Sequence, residues 1–321
     1  MSCFQSFSWL HPLLGLLLAP LLPGVINRTK AFYAGRKGQP LLQLYFDLWK
    51  LFQKGAVYSQ TTSWVFKAGP TVGFSTTVMA LLLAPMGETP ALFKFNGDLI
   101  VMCYLMGIVR FFTVTAALDT GSAFEGMGAS REVQFSIIAE PTLLLCLAAM
   151  AQAAGTSTFH YEPVSRLLLS LTSIYSHLTF AVWERFGIVL LLIASALFVV
   201  LLTECSRIPV DDPNTHLELT MIHEVMILDH SGPDFGMILY GASLKLWILL
   251  GLLSGLLVPV RSGYFIYDTA AFLAGIFLLA GIVGTIESSM ARLRLLRVPQ
   301  LLTGAGVLSL LALALVLRGY G

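Results

Sequence analysis

Long apolar runs constrain the fold of this chain more than any other feature of its sequence. Several runs of about eighteen residues or more contain at most one or two ionisable groups, which is enough helix to cross about 30 Å of hydrocarbon. Only helices and closed barrels span lipid, and these runs lack the alternation of a barrel strand. The sequence therefore predicts about eight membrane-spanning helices, at 6–27, 64–86, 98–118, 133–155, 186–203, 237–258, 266–287 and 299–318.

Composition excludes the main alternative classes. Apolar residues make up 56% of the 321 positions and charged residues 12%, whereas soluble domains carry about a quarter charged residues. The formal net charge is +1, which argues against a nucleic-acid partner. No internal repeat or shift in composition divides the chain. We therefore expect an all-α, polytopic membrane protein with a single integral membrane domain over residues 1–321.

Lysines and arginines predict the orientation of the helices. They are concentrated between the first two spans, so the positive-inside rule places that loop in the cytoplasm and the N-terminus outside. A ninth span at 167–183 is an alternative, since this stretch is apolar despite His177. It would move the cluster of Arg292, Arg294 and Arg297 to the outside, so we favour a surface or partly inserted helix there.

Residues 41–54 predict an amphipathic helix that begins after Pro40, a residue suited to a helix start. Its apolar face consists of Leu41, Leu44, Tyr45, Leu48 and Phe52, and its polar face of Gln43, Asp47, Lys50 and Lys54. Such a helix lies in the membrane interface. Packing on the membrane surface is favoured over a specific binding face.

The four cysteines, at positions 3, 103, 146 and 205, form no C-x-x-C pair. A zinc site or an iron–sulfur cluster therefore cannot be assembled from this chain's own thiols, and any redox centres are expected in partner chains. The first apolar run has no basic residue before it and no small-residue cleavage site, so we interpret it as a retained helix rather than a signal peptide.

Ionisable residues at membrane depth cost at least about 2.5–3.5 kcal/mol each on insertion scales, so they are candidates for function. Arg110, Glu140 and Lys245 lie within the third, fourth and sixth spans, and Glu204 and Glu287 close the fifth and seventh. Carboxylates buried beside cations can be tuned to exchange protons. The alternative is a structural ion pair, such as Arg110 with Glu140. We expect Arg110 and Lys245 to be the cationic neighbours of Glu140 and Glu287.

The segment 204–236 is the richest in polar residues. Glu204 and Arg207 share a helical face if the helix continues that far, and the prolines that follow break it. The residues that could ligate a metal are His216, Glu218, His223, Glu224 and His230. Their spacing fits no standard metal-ligand pattern. A solvated acidic loop is one alternative; we favour a carboxylate-lined surface that faces a cytoplasmic partner.

Three separated motifs resemble a known superfamily. Glu204-x-x-Arg207-x-Pro209-x-Asp211, followed by Glu218, resembles the fifth-helix loop of the complex I membrane subunit that joins the peripheral arm to the membrane arm. The segments L-D-T-G-S-A-F-E-G-M-G-A-S-R-E at 118–132 and E-S-S-M-A-R-L-R at 287–294 resemble the membrane anchor subunit of formate hydrogenlyase and other group 4 NiFe hydrogenases. The chain departs from complex I relatives at 210–213, where Val-Asp-Asp-Pro replaces Phe-Asp-Leu-Pro, and in a longer stretch at 219–230, which weakens any transfer of a quinone site.

The resemblance implies a subunit with no catalytic residue, no metal and no redox cofactor of its own. It implies docking of a hydrogenase-like large subunit and an iron–sulfur small subunit on the cytoplasmic side of a prokaryotic inner membrane, beside antiporter-like membrane subunits and lipid. Combined with the residue-level interpretation, the candidates for ion translocation or coupling are Glu140, Glu204, Glu218, Glu287, Arg110 and Lys245. The candidates for docking of the peripheral arm are Arg131, Arg207, Asp211, Asp212 and Glu224.

Three functions remain open at this point. The favoured one is a non-catalytic membrane anchor of a respiratory, complex I-like NiFe hydrogenase or formate hydrogenlyase complex, which couples the redox arm to proton or sodium translocation. Partner subunits would then carry iron–sulfur clusters and a NiFe site. The second is the junction subunit of a NADH:quinone oxidoreductase-type complex, forming part of a quinone site. The third is a free-standing secondary transporter, which purification as a lone, transporting chain would reveal.

Overall fold

The computed structural model describes residues 7–87, 89–158, 168–211, 221–259 and 261–319, excluding the side chains of 156–158. Within these ranges the regular structure is helical. The α-helices are α1 Leu10–Leu18, α2 Leu21–Tyr33, α3 Gln43–Phe52, α4 Trp64–Leu83, α5 Asp98–Asp119, α6 Ala123–Thr158, α7 Leu171–His177, α8 Phe180–Glu204, α9 Gly232–Leu257, α10 Phe265–Ser289 and α11 Val298–Leu317. Short 3-10 turns cover Glu224–Ile227 and Leu295–Arg297.

Seven stretches of the described residues are helices long and apolar enough to cross a membrane. The count rises to eight if α1 and α2, which meet at an angle of 46°, form one span. Pro20 lies at this bend and interrupts the helix because proline lacks a backbone N–H. Each predicted span coincides with one of these helices or with the bent pair. The all-α, polytopic membrane fold predicted from the sequence is confirmed.

The stretch 168–183 does not form a ninth span. Its helix α7 has seven residues and is therefore about 10 Å long, a third of the hydrocarbon thickness. Asp98 accepts a hydrogen bond from the amide of Leu171 at 2.6 Å, and Arg261 donates to the carbonyl of Ser176 at 3.0 Å. Since Tyr175 is also buried, α7 is a short helix packed against the end of the bundle.

Contacts between chain segments define two ends of the bundle. At one end Asp119 accepts hydrogen bonds from the amide and hydroxyl of Ser63, at 2.6 and 2.9 Å, and Lys30 lies 2.9 Å from Glu287. We call this the basic end; it contains residues 34–42, 53–63, 205–211, 221–231 and 290–297. The segments 84–87, 89–97 and 168–179 lie at the opposite end.

Helix α3 lies at the basic end and is the amphipathic helix predicted from the sequence. Leu48 is buried, and the Tyr45 hydroxyl donates a hydrogen bond to the carbonyl of Leu17 in α1. Phe46 and Trp49 are exposed on the outer side, where aromatic rings suit a membrane interface. The helix therefore packs against the bundle on one side and presents aromatic rings outward on the other.

Helices α8 and α9 are the most buried spans and form the centre of the bundle. In each of them 61% of the most apolar stretch is buried inside the protein. Trp247 is fully buried between them and α1, and donates a hydrogen bond to His11 at 3.3 Å. Leu197 and Leu250 belong to the same hydrophobic core. The charged groups described next project from these central helices and their neighbours.

Candidate functional site

A network of charged side chains joins four helices inside the bundle. Arg110, on α5, is only 7% exposed and contacts Glu140 on α6 and Glu204 at the end of α8. Its Nε lies 3.2 Å from Oε1 of Glu132 on α6. The second oxygen of Glu204 lies 2.7 Å from Nζ of Lys245 on α9. We call these five residues the membrane network; it brings together four of the six predicted coupling residues.

The membrane network combines three carboxylates with two cations. Pairing offsets the cost of each charge at membrane depth, but one negative charge remains in excess when every group is ionised. Glu204 is central, because it contacts both cations and its side chain is 4% exposed. Glu140 is peripheral, because it contacts Arg110 alone among the described cations and its side chain is 47% exposed. An excess carboxylate of this kind is suited to binding a proton.

A cavity of about 90 Å³ adjoins the membrane network. At about 10–15 Å³ for each water it has room for several water molecules. Its lining includes the charged and polar residues Arg110, Glu132, Glu204, Ser206, His223, His230 and Lys245. The apolar wall comes mainly from α4, where Gly69 and Gly73 leave space, and from α9. The cavity therefore touches both the basic end and the charges within the bundle.

Glu287 belongs to a second cluster, which we call the basic-end network. Its oxygens lie 2.9 Å from Nζ of Lys30 and 3.5 Å from Nη1 of Arg207, and its side chain is fully buried. The predicted pairing of Glu287 with Lys245 is wrong. Lys245 lies about three and a half turns into α9, deeper than the end of α10, and it contacts Glu204 instead. The predicted pairing of Arg110 with Glu140 is confirmed.

Close packing of α2 on α10 brings Lys30 to Glu287. A Cβ atom on Gly284 would lie 2.8 Å from Cβ of Thr29 and 2.9 Å from the carbonyl oxygen of Ile26. Small residues allow helix backbones to approach this closely within a membrane. Gly284 therefore positions the carboxylate that stands one turn further along α10.

The turn 204–207 connects the two networks. Helix α8 ends at Glu204, and Ser206 adopts φ +50°, a left-handed conformation that is uncommon for residues other than glycine. The helix therefore does not continue to Arg207, and the two side chains do not share a helical face. Glu204 points into the membrane network and Arg207 contacts Glu287 in the basic-end network.

The predicted docking residue Asp211 makes its contacts within the chain. It is 2% exposed, accepts hydrogen bonds from the amides of Ile222 and His223 at 3.2 and 3.0 Å, and lies 2.9 Å from Arg292. The carboxylate thus fastens the segment after α8 to the segment before α9 and to the one after α10.

The predicted docking residues Arg131 and Glu224 lie at or near the basic end. Arg131 donates a hydrogen bond to the carbonyl of Met221 at 2.8 Å, and Glu224 begins the 3-10 turn Glu224–Ile227. Asp212 and the coupling candidate Glu218 lie outside the described residues. Docking at this surface stays a prediction.

Two members of the networks, Glu132 and Lys30, were missed by sequence reasoning. Glu132 lies just before the predicted span 133–155, but α6 begins at Ala123, so this carboxylate is already inside the helix. Glu132 is the last residue of the motif at 118–132, and that motif was the signal from which it could have been found. Lys30 was assigned to a loop, whereas α2 continues to Tyr33 and carries the lysine to Glu287.

Of the histidines of the described basic end, His230 is buried and His223 is partly buried. Burial lowers the pKa of His230 to about 4 and also lowers the pKa of His223, so both rings are neutral near pH 7. In the part of the chain that the structure describes, no group of three or more His, Cys, Asp or Glu side chains is arranged to hold a metal ion.

Comparison with known proteins identifies the family. Residues 8–318 match the family described as NADH dehydrogenase. The chain belongs to the NADH dehydrogenase family. Formate hydrogenlyase subunit 4 of Escherichia coli (strain K12) is 31% identical over 315 residues, covering 93% of this chain and 95% of that protein. Hydrogenase-4 component C of the same organism is 31% identical over 249 residues, covering 76% of this chain and 72% of its own length.

The fold is also similar to that of a chain in a solved respiratory membrane complex. A chain in the structure of the membrane-bound sulfane sulfur reductase, an archaeal respiratory membrane complex, superposes with a TM-score of 0.75 at 20% identity. The match covers 96% of this chain and 98% of that chain. The resemblance to the complex I and hydrogenase membrane subunits inferred from the three motifs is confirmed.

Proposed function

We propose that this chain is the non-catalytic membrane anchor subunit of a complex I-like hydrogenase complex of the formate hydrogenlyase type. It would hold a peripheral redox arm and couple that arm to proton or sodium translocation. The two relatives named as formate hydrogenlyase subunit 4 and hydrogenase-4 component C, each 31% identical, support this assignment. Under the positive-inside rule the basic end faces the cytoplasm of a prokaryotic cell, and the N-terminus lies outside.

The observation that carries the proposal is the membrane network beside the cavity. A subunit that served only as an anchor would need an apolar exterior and a packed core, but not a buried carboxylate excess across four helices. Charged groups within membranes mark ion paths and proton relays, and the cavity has room for the waters that such a path requires. Glu140 and Glu204 are the proposed coupling residues.

The partners follow from the same assignment. A hydrogenase-like large subunit and an iron–sulfur small subunit would dock at the basic end, supplying iron–sulfur clusters and a NiFe site. Antiporter-like membrane subunits and lipid would surround the helices. Exposed apolar side chains on the outer surfaces of α5 and α6, such as Tyr104 and Ile137, suit contacts of this kind.

A quinone site is the main competing assignment, because the chain resembles the complex I membrane subunit. The cavity next to Glu204 has a volume of about 90 Å³, whereas pockets for small organic molecules span about 300–1,000 Å³. Its size and charged lining suit water better than a quinone head group. Loss of activity on removal of quinone would favour the quinone site over the water-filled cavity. Ion transport by the purified chain alone would favour a secondary transporter.

The test replaces Glu140 and, separately, Glu287 by glutamine, which keeps the shape of the side chain and removes the titrating group. We expect Glu140→Gln to assemble into the complex and to lose ion uptake. Glu287→Gln removes a fully buried carboxylate from Lys30 and Arg207, so we expect it to assemble in smaller amounts and to lose uptake per assembled complex. Proton and sodium uptake into vesicles is measured per assembled complex in the same membranes. Asp268→Asn, at the opposite end of α10, is the matched control. Normal uptake in both glutamine variants would leave the two networks as structural ion pairs.

A further inference from the structure

Two histidines cover the side of the cavity that faces the basic end. The ring of His230 stacks on Phe66 of α4, with centroids 4.0 Å apart and planes 8° from parallel. The residue is 8% exposed and lines the cavity. Its Nδ1 is buried and makes no hydrogen bond to any described residue. A buried polar atom without a partner is costly, so this nitrogen is suited to a water in the cavity.

The second histidine is held in place by its backbone. The amide of His223 donates to Asp211 at 3.0 Å, and the adjoining 3-10 turn packs directly on α6. A Cβ atom on Gly128 would lie 2.7 Å from the carbonyl oxygen of Ile222 and 3.0 Å from Cγ of Met226. This close approach fixes the position of His223 over the cavity.

Charged groups surround both rings. The charges of Glu132, Lys245 and Asp211 act on the His223 ring. Those of Asp229 and Asp234 act on the His230 ring. Beyond them, the Tyr58 hydroxyl donates to Asp234 at 2.8 Å, and Nζ of Lys67 lies 4.9 Å from the centre of the Tyr58 ring. The two histidines therefore stand between acidic groups of the basic end and the membrane network.

We propose that His230 and His223 carry protons between the surface of the basic end and the membrane network, through waters in the cavity. This inference deepens the proposed function and rests on it. Nδ1 of neutral His230 accepts a proton from a hydrated proton in the cavity, and the same nitrogen then releases it to a second cavity water, so the ring returns to its starting tautomer. The lowered pKa keeps the protonated ring short-lived, as suits a carrier rather than a store of protons. The membrane network, with its excess carboxylate, is the receiver.

The primary variant is His230→Phe in the intact complex. Phenylalanine keeps the ring that stacks on Phe66 and removes the nitrogen. We expect wild-type amounts of assembled complex and a fall of at least about tenfold in proton uptake per complex, as for the loss of a proton-transferring side chain. His223→Leu should act in the same direction. Phe66→Leu, which alters the same packing without removing a titrating group, is the matched control and should keep its uptake.

Chemical rescue separates proton transfer from packing. In His230→Gly, added imidazole should restore uptake, whereas pyrazole, which has the same size and is far less basic, should not. Equal rescue by both rings, or wild-type uptake in both His230→Phe and His223→Leu, would overturn the inference. If Glu140→Gln still abolished uptake in that case, the proposed function would stand without the histidines. Absence of ion uptake by the wild-type complex would refute both the proposed function and the histidine pathway.

Discussion

Two glutamates of the membrane network contact the same arginine, yet the structure predicts opposite consequences for their removal. Glu204 is almost fully buried and contacts both Arg110 and Lys245. Glu140 has a half-exposed side chain and contacts Arg110, which keeps Glu132 and Glu204 when Glu140 is neutralised. We therefore expect Glu204→Gln to damage assembly and Glu140→Gln to leave it nearly intact.

The expected magnitudes differ by several-fold. Removing one partner of a buried ion pair costs about 3–5 kcal/mol, because the other charge is left uncompensated. In Glu204→Gln, Lys245 loses its carboxylate contact at 2.7 Å, so the full cost applies. A polar contact between membrane helices is worth on average about 0.6 and at most about 1.7 kcal/mol, which is the range expected for Glu140→Gln.

The assay measures the amount of assembled complex and its thermal unfolding in detergent, for the two variants expressed side by side. A double variant, Glu204→Gln with Lys245→Met, tests the reason for the damage. It removes the stranded cation together with the carboxylate, so it should recover part of the assembly lost in Glu204→Gln. Equal assembly of the two single variants, or no recovery in the double variant, would refute the reasoning from burial.

Three further predictions concern helix packing and the basic end. Gly284→Leu should separate α2 from α10, because even a Cβ atom at Gly284 would lie 2.9 Å from a backbone oxygen. The expected result is a lower thermal stability of the complex. Gly281→Leu, at an open position of the same helix, is the control. Asp211→Asn should destabilise the membrane chain itself by about 1.5–3 kcal/mol for each charged hydrogen bond weakened. Glu224→Lys should instead release the peripheral subunits while the membrane chain still inserts. Co-purification of the peripheral subunits with the membrane chain distinguishes this result from that of Asp211→Asn.

The spans were predictable because insertion into lipid depends on the apolar character of continuous segments, which a sequence displays directly. The charged candidates within the spans were predictable as well, because an ionisable residue stands out in an otherwise apolar segment. Their partners were not, because pairing depends on which helix faces meet and at what depth. Lys245 was expected beside Glu287 and lies beside Glu204, since α9 carries it about 20 Å from the helix start.

The loop residues show a different limit of sequence reasoning. Asp211 stands in an acidic segment and was assigned to a surface that binds partners. In the structure its carboxylate accepts two backbone hydrogen bonds and pairs with Arg292. Unpaired amides near chain turns require acceptors, and a sequence does not show which carboxylate meets that need. The number of carboxylates in a loop therefore overstates the charge available to a partner.

The two networks carry opposite net charges when all their groups are ionised. The membrane network has three carboxylates and two cations, and the basic-end network has two cations around Glu287. Glu204 and Arg207, which belong to different networks, are joined by the short turn through Ser206. A proton that binds the membrane network removes its net charge and with it the attraction between the networks across this turn. Under the proposed function, the turn 204–207 is therefore where an arriving proton acts on the segment that leads to the docking surface.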